Sequence, residues 1–322
     1  MVGFGREGLR LDPWEASFGS ELPMEAERAD PETVDADVEV PFLEWTPVTP
    51  SATDTPGRIA LVDGVRRVDA RLVAEAKGEL VHAVLASVAA GSVTIEHQRA
   101  TFDPPSVARV LAVGSGQNAD SSLKLRDDLI YEPMSWEGEG PDAPVRAALE
   151  RMRRIETRTA RDAAKRGALV LADGPLDADT EGVVVGYVKR IERLYVPISA
   201  MSVLAKLKRG QRSPMFLLNA VRSPRYGWFL RLAEPLPGES PLSGVARLEV
   251  LASKGRDAAR GIADTLSLTL PSLAPSRARD PRSPQNLMPI GALEAHLRRL
   301  LGDQRWIRGL IRARLAEVDT HG

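Results

Sequence analysis

The sequence predicts an α/β fold in which antiparallel strands lead and a parallel crossover follows. Two observations carry this. The first is the order of patterns: valine-rich apolar runs joined by short links, a long amphipathic helix, further short strands, and closing helices. The second is the segment Glu156–Leu176 (ETRTARDAAKRGALVLADGPL), in which a helix reverses into a strand ending on an aspartate-glycine pair. An earlier run, RIALVDG, ends the same way at Asp63-Gly64. A right-handed crossover through the helix would set these two strands parallel, with both aspartates at the C-terminal edge, where open α/β sheets bind ligands.

The elements follow in order. Residues 1–56 are acidic and proline-rich, with only Arg6, Arg10 and Arg28 against the acids, and read as an extended arm anchored by Trp14, Phe42 and Trp45. Residues 57–322 form the main domain. Arg58–Gly64 reads as a strand meeting a turn, RRVDARLVAEAKG as a second strand turning at Lys77-Gly78, and ELVHAVLASVAAGSVTIEHQ as a third. The stretch 99–144 carries loop signals and no clear period. From Val145 to Arg166, Val145, Leu149, Met152, Ala160 and Ala163 recur at helical spacing, and Gly167 stops the helix. In EGVVVGYVKR, Val183, Val185, Tyr187 and Lys189 share one face by period two. A helical turn at 201–207, a hairpin around Ser223-Pro224, a strand in GVARLEVLA and a helix in ARGIADTLSLTL come next. A polar, basic loop then leads to C-terminal helices broken near Gly302-Asp303.

Composition narrows the classes. The 322 residues, 43% hydrophobic, suffice for a large core, and a net charge of −1 is neutral about nucleic acid. The last third is studded with arginine, among them Arg277, Arg279, Arg282, Arg298, Arg299, Arg305, Arg308, Arg312 and Arg314, which suit a polyanion or simply a solvated helix face. With no cysteine there are no disulfides, thiolate metal sites or cysteine nucleophiles. No signal pattern and no membrane-length apolar run is present, so a soluble, cytoplasmic protein is expected. Gly114-Ser115-Gly116 is too little for a nucleotide loop and no GxxxxGK[ST] occurs, so the chain is not itself an ATP-driven motor.

Three carboxylates converge in this layout. Back from Lys165 to Glu156 is ~14 Å of helix at ~1.5 Å per residue. Forward from Ala168 to Asp173 is ~17 Å of strand at ~3.3 Å per residue, so both acids finish at one level. Glu156 lies one turn from Met152 and one from Ala160, on the edge of the packing face, where an acid is a misfit, a salt-bridge partner or a ligand. Glu150 is a rival on the same helix. Gathered acids call for cations or for neutralising lysine and arginine. Hard Mg²⁺ or Mn²⁺ ions take such oxygen ligands, and a pair of them ~3.5–4 Å apart clamps the attacking and leaving oxygens of a phosphoryl displacement. Singly, each aspartate-glycine pair is a strand-end turn. Lys189 alone reads as an exposed strand lysine, His296 as a half-buried helix histidine, and His82 and His97 as structural.

IALVDG at 59–64, RRIETRTA at 153–160, LVLADGPL at 169–176, VVVGYVKR at 183–190 and QNLMPIGALEAHLRRLLGD at 285–303 together resemble the NurA nuclease family. The resemblance implies an RNase H-like mixed sheet flanked by helices. It also implies a metal-dependent deoxyribonuclease that acts in DNA end processing and double-strand break repair beside a HerA-type hexameric ATPase. By that resemblance Asp63, Glu156, Asp173 and His296 would hold Mn²⁺ or Mg²⁺, two ions being expected. Asp63 would bridge them, His296 would ligate or protonate the leaving group, and Lys189 would meet phosphate. Single- and double-stranded DNA, the translocase and a homodimer are the implied partners, with no membrane. Two positions depart: Val65 stands where the family usually has serine, and Met288 where a tyrosine commonly precedes the histidine. A catalytically weak adaptor docking on the ATPase and a small-phosphoester hydrolase are the alternatives.

Overall fold

The computed structural model describes residues 10–11, 33–50, 56–76, 78–174, 176, 182–191, 194–219, 223–276 and 284–319. The α/β expectation holds: one large mixed sheet is flanked by helices on both faces. Its strands are β1 (Arg10–Leu11), β2 (Thr33–Asp35), β3 (Arg58–Ala76), β4 (Glu79–Glu96), β5 (Arg99–Phe102), β6 (Ser106–Val113), β7 (Leu123–Arg126), β8 (Leu129–Ser135), β9 (Leu169–Asp173), β10 (Val184–Val188), β11 (Phe216–Asn219), β12 (Arg225–Arg231) and β13 (Val245–Leu251). The order across the sheet is β2-β11-β12-β13-β10-β9-β3-β4-β6-β8-β7, with β1 also on β3 and β5 also on β4.

The crossover is in place. Helix α1 (Ala143–Lys165) leads into β9, which pairs parallel with β3 from Ile59↔Leu169 to Val62↔Ala172 and parallel with β10 on its other side. A short α2 (Met201–Leu204) follows β10. Alternation along β3 sorts the two cores. Ala60 and Val62 pack with Ala160, Ala163 and Ala164 of α1. Ile59, Leu61 and Val65 pack on the opposite face with α3 (Arg256–Thr269) and α4 (Met288–Leu300). Gly302, at φ +80°, ends α4, and α5 (Gln304–Asp319) covers the far end of β3 and β4 with Ile307, Ile311 and Leu315.

The opening meander differs from expectation. Asp63-Gly64 is not a turn, since β3 runs unbroken to Ala76 and pairs with β4 over its whole length, Asp63 opposite Gly91 and Gly64 opposite Ala90. The expected first two strands are therefore one long strand. Val65 explains the continuity, because it is buried beneath α4 and continues the inward alternation of Ile59 and Leu61. A β-bulge between Val68 and Ala70 turns Asp69 inward, where its carboxylate accepts from Arg67, Ser87 and Tyr131. The unplaced stretch after Arg99 is four short strands, reached through a tight hairpin whose tip, His97-Gln98, has φ of +48° and +63°.

Part of the acidic arm belongs to the body. β2 pairs antiparallel with β11, and the buried Trp45 indole N–H donates to the Ala36 carbonyl at 3.0 Å. Glu39 accepts two bonds of 2.8 Å from the fully buried Arg212, whose Nε donates to Asp264 at 2.7 Å. Trp14 lies outside the described residues, as do Arg277, Arg279 and Arg282. No helix among the described residues is long and apolar enough to cross a membrane.

Candidate active site

Beyond Val62 the edge of β3 facing β9 is free of that neighbour, because β9 ends at Asp173. The acids gather there. Asp63 follows Leu61 by period two and so points to the α4 face, as Asp173 does after Leu171 and Lys189 after Tyr187. Gly174, at φ +94°, turns the chain away after Asp173 and donates its N–H to the Tyr187 carbonyl, tying the ends of β9 and β10 together.

Glu156 arrives from the other face. It sits on α1 directly over Gly64, where a β-carbon would lie 3.0 Å from its Cδ and 2.8 Å from Met152 Cγ. The missing side chain at 64 lets the helix acid lie against the strand beside Asp63. The rival Glu150 is spent elsewhere, accepting from Arg154 at 2.9 Å on the helix surface.

The charges of the group act on one another. Burial pushes the Asp63 carboxyl well above the ordinary range. The charges of Asp173, Glu156 and Glu294 push it the same way, and Lys189 opposes them. Burial and Asp173 push Glu156 up to about 7. Burial disfavours the Lys189 ammonium, but Asp173, Asp63 and Glu294 outweigh it and raise its pKa. Lys189 Nζ stands 2.9 Å from Asp173 Oδ2 and 3.7 Å from Glu294 Oε1. Burial also raises Tyr187, with the Asp173 charge adding; its hydroxyl donates to the Gln285 carbonyl at 2.7 Å.

Asp63, Glu156, Asp173 and Lys189 are thus brought together, and His296 is not placed with them. Its ring stacks on Phe102 of β5, centroids 4.6 Å apart and 4° from parallel. The acid that α4 contributes is Glu294, two residues earlier and so about 200° around a helix of 3.6 residues per turn. Of the departing positions, Val65 is core and Met288 is an exposed residue in the first turn of α4.

The residues suit a hard divalent cation in chemistry and charge. Four carboxylates face Lys189, with Arg153 also acting on Glu156, and Asp63 Oδ2 is buried without a hydrogen-bond partner while Oδ1 accepts from the Gly64 N–H at 2.7 Å. Among the described residues no three acidic or histidine side chains are already spaced as ligands around one point. Lys189 stands at Asp173 instead.

Fold and site together define an α/β protein whose mixed sheet carries a largely buried acidic cluster where the parallel β3–β9 pairing ends. No family model and no curated protein matches the sequence. Among solved structures the chain is similar to the crystal structure of the NurA nuclease from Sulfolobus solfataricus, at 12% sequence identity and a TM-score of 0.46, over 85% of this chain and 88% of that one.

Proposed function

We propose that this chain is a metal-dependent nuclease that hydrolyses phosphodiester bonds in DNA, with Asp63, Glu156 and Asp173 holding Mn²⁺ or Mg²⁺. The observation that carries the reading is the buried, unpartnered Asp63 Oδ2 inside a cluster with more acids than bases. When bound, such ions supply Lewis-acid stabilisation of a phosphoryl displacement. The chain's own part is positional. β3 and β9 fix two acids on one sheet edge, α1 brings the third across Gly64, and Lys189 offers an ammonium to a phosphate oxygen. Two ions, a homodimer, a HerA-type translocase that feeds the site, and a role in end processing complete the proposal; their support is the sequence resemblance.

A second reading is a catalytically weak adaptor of the same translocase. It is favoured by Lys189 standing on Asp173 and by the lack of an assembled ligand set among the described residues. One assay separates them: cleavage of labelled single- and double-stranded DNA by wild type and Asp63→Ala, in Mn²⁺ and in EDTA. Cleavage that needs both Mn²⁺ and Asp63 supports the nuclease. Absent or metal-independent cleavage supports the adaptor, and turnover of a nucleotide monoester alone points to a small-phosphoester hydrolase.

A further inference from the structure

We propose that Glu294 is a positioning residue that receives the Lys189 ammonium when a divalent cation is held by Asp173, so that lysine and cation alternate on one carboxylate. The inference rests on reading the cluster as a cation site. Its geometry is specific. Lys189 Nζ lies between two acids on different elements, 2.9 Å from Asp173 at the end of β9 and 3.7 Å from Glu294 on α4. A displacement of about 1 Å, within the reach of a rotating lysine side chain, would exchange the closer partner for the other.

The burial of Glu294 agrees with such a role. It lies 9% exposed on the helix face that carries Ile290, Leu293 and Leu297, a position where a leucine would pack at lower cost. A buried carboxylate is tolerated when a positive charge is at hand. Lys189 supplies such a charge, and it is nearer to Asp173. A doubly charged cation and an ammonium repel each other strongly when they share one carboxylate. Cation uptake at Asp63 and Asp173 therefore requires Lys189 to leave Asp173 without becoming a buried, unpaired cation. Glu294 meets that requirement, and it keeps the ammonium beside the site, where a phosphate would lie.

The test is Mn²⁺ binding, followed by electron paramagnetic resonance without DNA. The proteins are wild type, Asp63→Asn, Lys189→Met, Glu294→Gln and the Lys189→Met/Glu294→Gln double variant, each checked for folding by thermal unfolding. With Lys189 gone, Mn²⁺ should bind about tenfold tighter, and Glu294→Gln alone should bind about tenfold weaker, within the usual span of coupling between sites. In the double variant the Glu294→Gln effect should vanish, because no ammonium needs a place. In wild type the Lys189 ¹³Cε resonance should shift on Mg²⁺ titration, and in Glu294→Gln it should not.

Equal loss of affinity from Glu294→Gln with either lysine or methionine at 189 would make Glu294 a ligand or a plain structural residue and overturn the exchange. Wild type and Asp63→Asn taking up Mn²⁺ equally would remove the cation site itself, and the exchange with it.

Discussion

Gly64 lies directly beneath the carboxylate of Glu156, and the two meet because the strand residue has no side chain. Its φ is not in the left-handed region, so conformational freedom is not why glycine stands there. Space is the reason. The contact sets how closely α1 approaches β3, and it carries an acid from one face of the sheet to an edge whose other acids face the opposite side.

Gly64→Ala should therefore cost about 1–3 kcal/mol of stability, the usual penalty for overpacking a close contact. It should also displace Glu156 and weaken Mn²⁺ binding. Urea unfolding and Mn²⁺ titration read the two effects separately, and a variant unchanged in both would show that this approach does not position the helix acid.

The pH dependence of stability follows from Glu156, whose pKa rises from an ordinary 4.5 to about 7 through burial and the Asp173 charge. The folded state thus holds this proton more tightly than the unfolded chain does. Its contribution to stability is fully present below about pH 4.5 and lost as pH rises through about 7. Without added divalent cation, urea midpoints should fall between pH 5 and pH 8, by on the order of 3 kcal/mol at most from this group. Asp63, raised for the same reasons, acts in the same direction. Glu156→Gln should flatten the slope, and Mn²⁺ should reverse it; a slope identical in wild type and Glu156→Gln would separate Glu156 from the cluster.

The sequence shows three of these acids because each breaks a pattern. Asp63 interrupts the inward apolar residues of β3, Asp173 ends those of β9, and Glu156 interrupts a helical packing edge. Lys189 follows from period two after Tyr187. Glu294 carries the same signal as Glu156: it stands four residues after Ile290 and beside Leu293, on the buried stripe of α4. His296, two residues later, is the α4 residue that the family resemblance implies. The continuity of β3 was hidden because an aspartate-glycine pair looks alike as a turn and as a close-approach site. Between Arg99 and Ser135, β5 and β7 are four residues each and too brief for a period to stand out, and β6 runs from exposed to buried without alternating.

His296 offers a direct check on which residue of α4 serves the site. Its ring stacks on Phe102, so His296→Ala should leave the Mn²⁺ affinity of the cluster unchanged while costing about 0.5–1.5 kcal/mol from the lost ring contact. Glu294→Gln should do the opposite, changing Mn²⁺ affinity with little change in the Phe102 region. Loss of Mn²⁺ binding on His296→Ala would restore the histidine to the ligand set expected from the sequence.

The arm residue Glu39 makes the last prediction. Burial would raise its pKa, but the paired bonds from Arg212 and that residue's charge outweigh it and hold Glu39 below its ordinary value of 4.5. This stabilisation is present above that value and lost as pH falls through the depressed one. Arg212 is fully buried and also holds Asp264 on α3, so one guanidinium joins the arm, the loop before β11 and a helix. Arg212→Ala takes the nearest cation from buried Asp264 and from half-buried Glu39, which keeps Arg260 at 3.6 Å, and should cost about 3–5 kcal/mol, measured by urea unfolding at pH 7. Adding Glu39→Gln to Arg212→Ala should recover part of that loss, because one uncompensated charge is gone. No recovery would mean that the arm is held chiefly by Trp45 and the β2–β11 pairing, with the ion pair incidental.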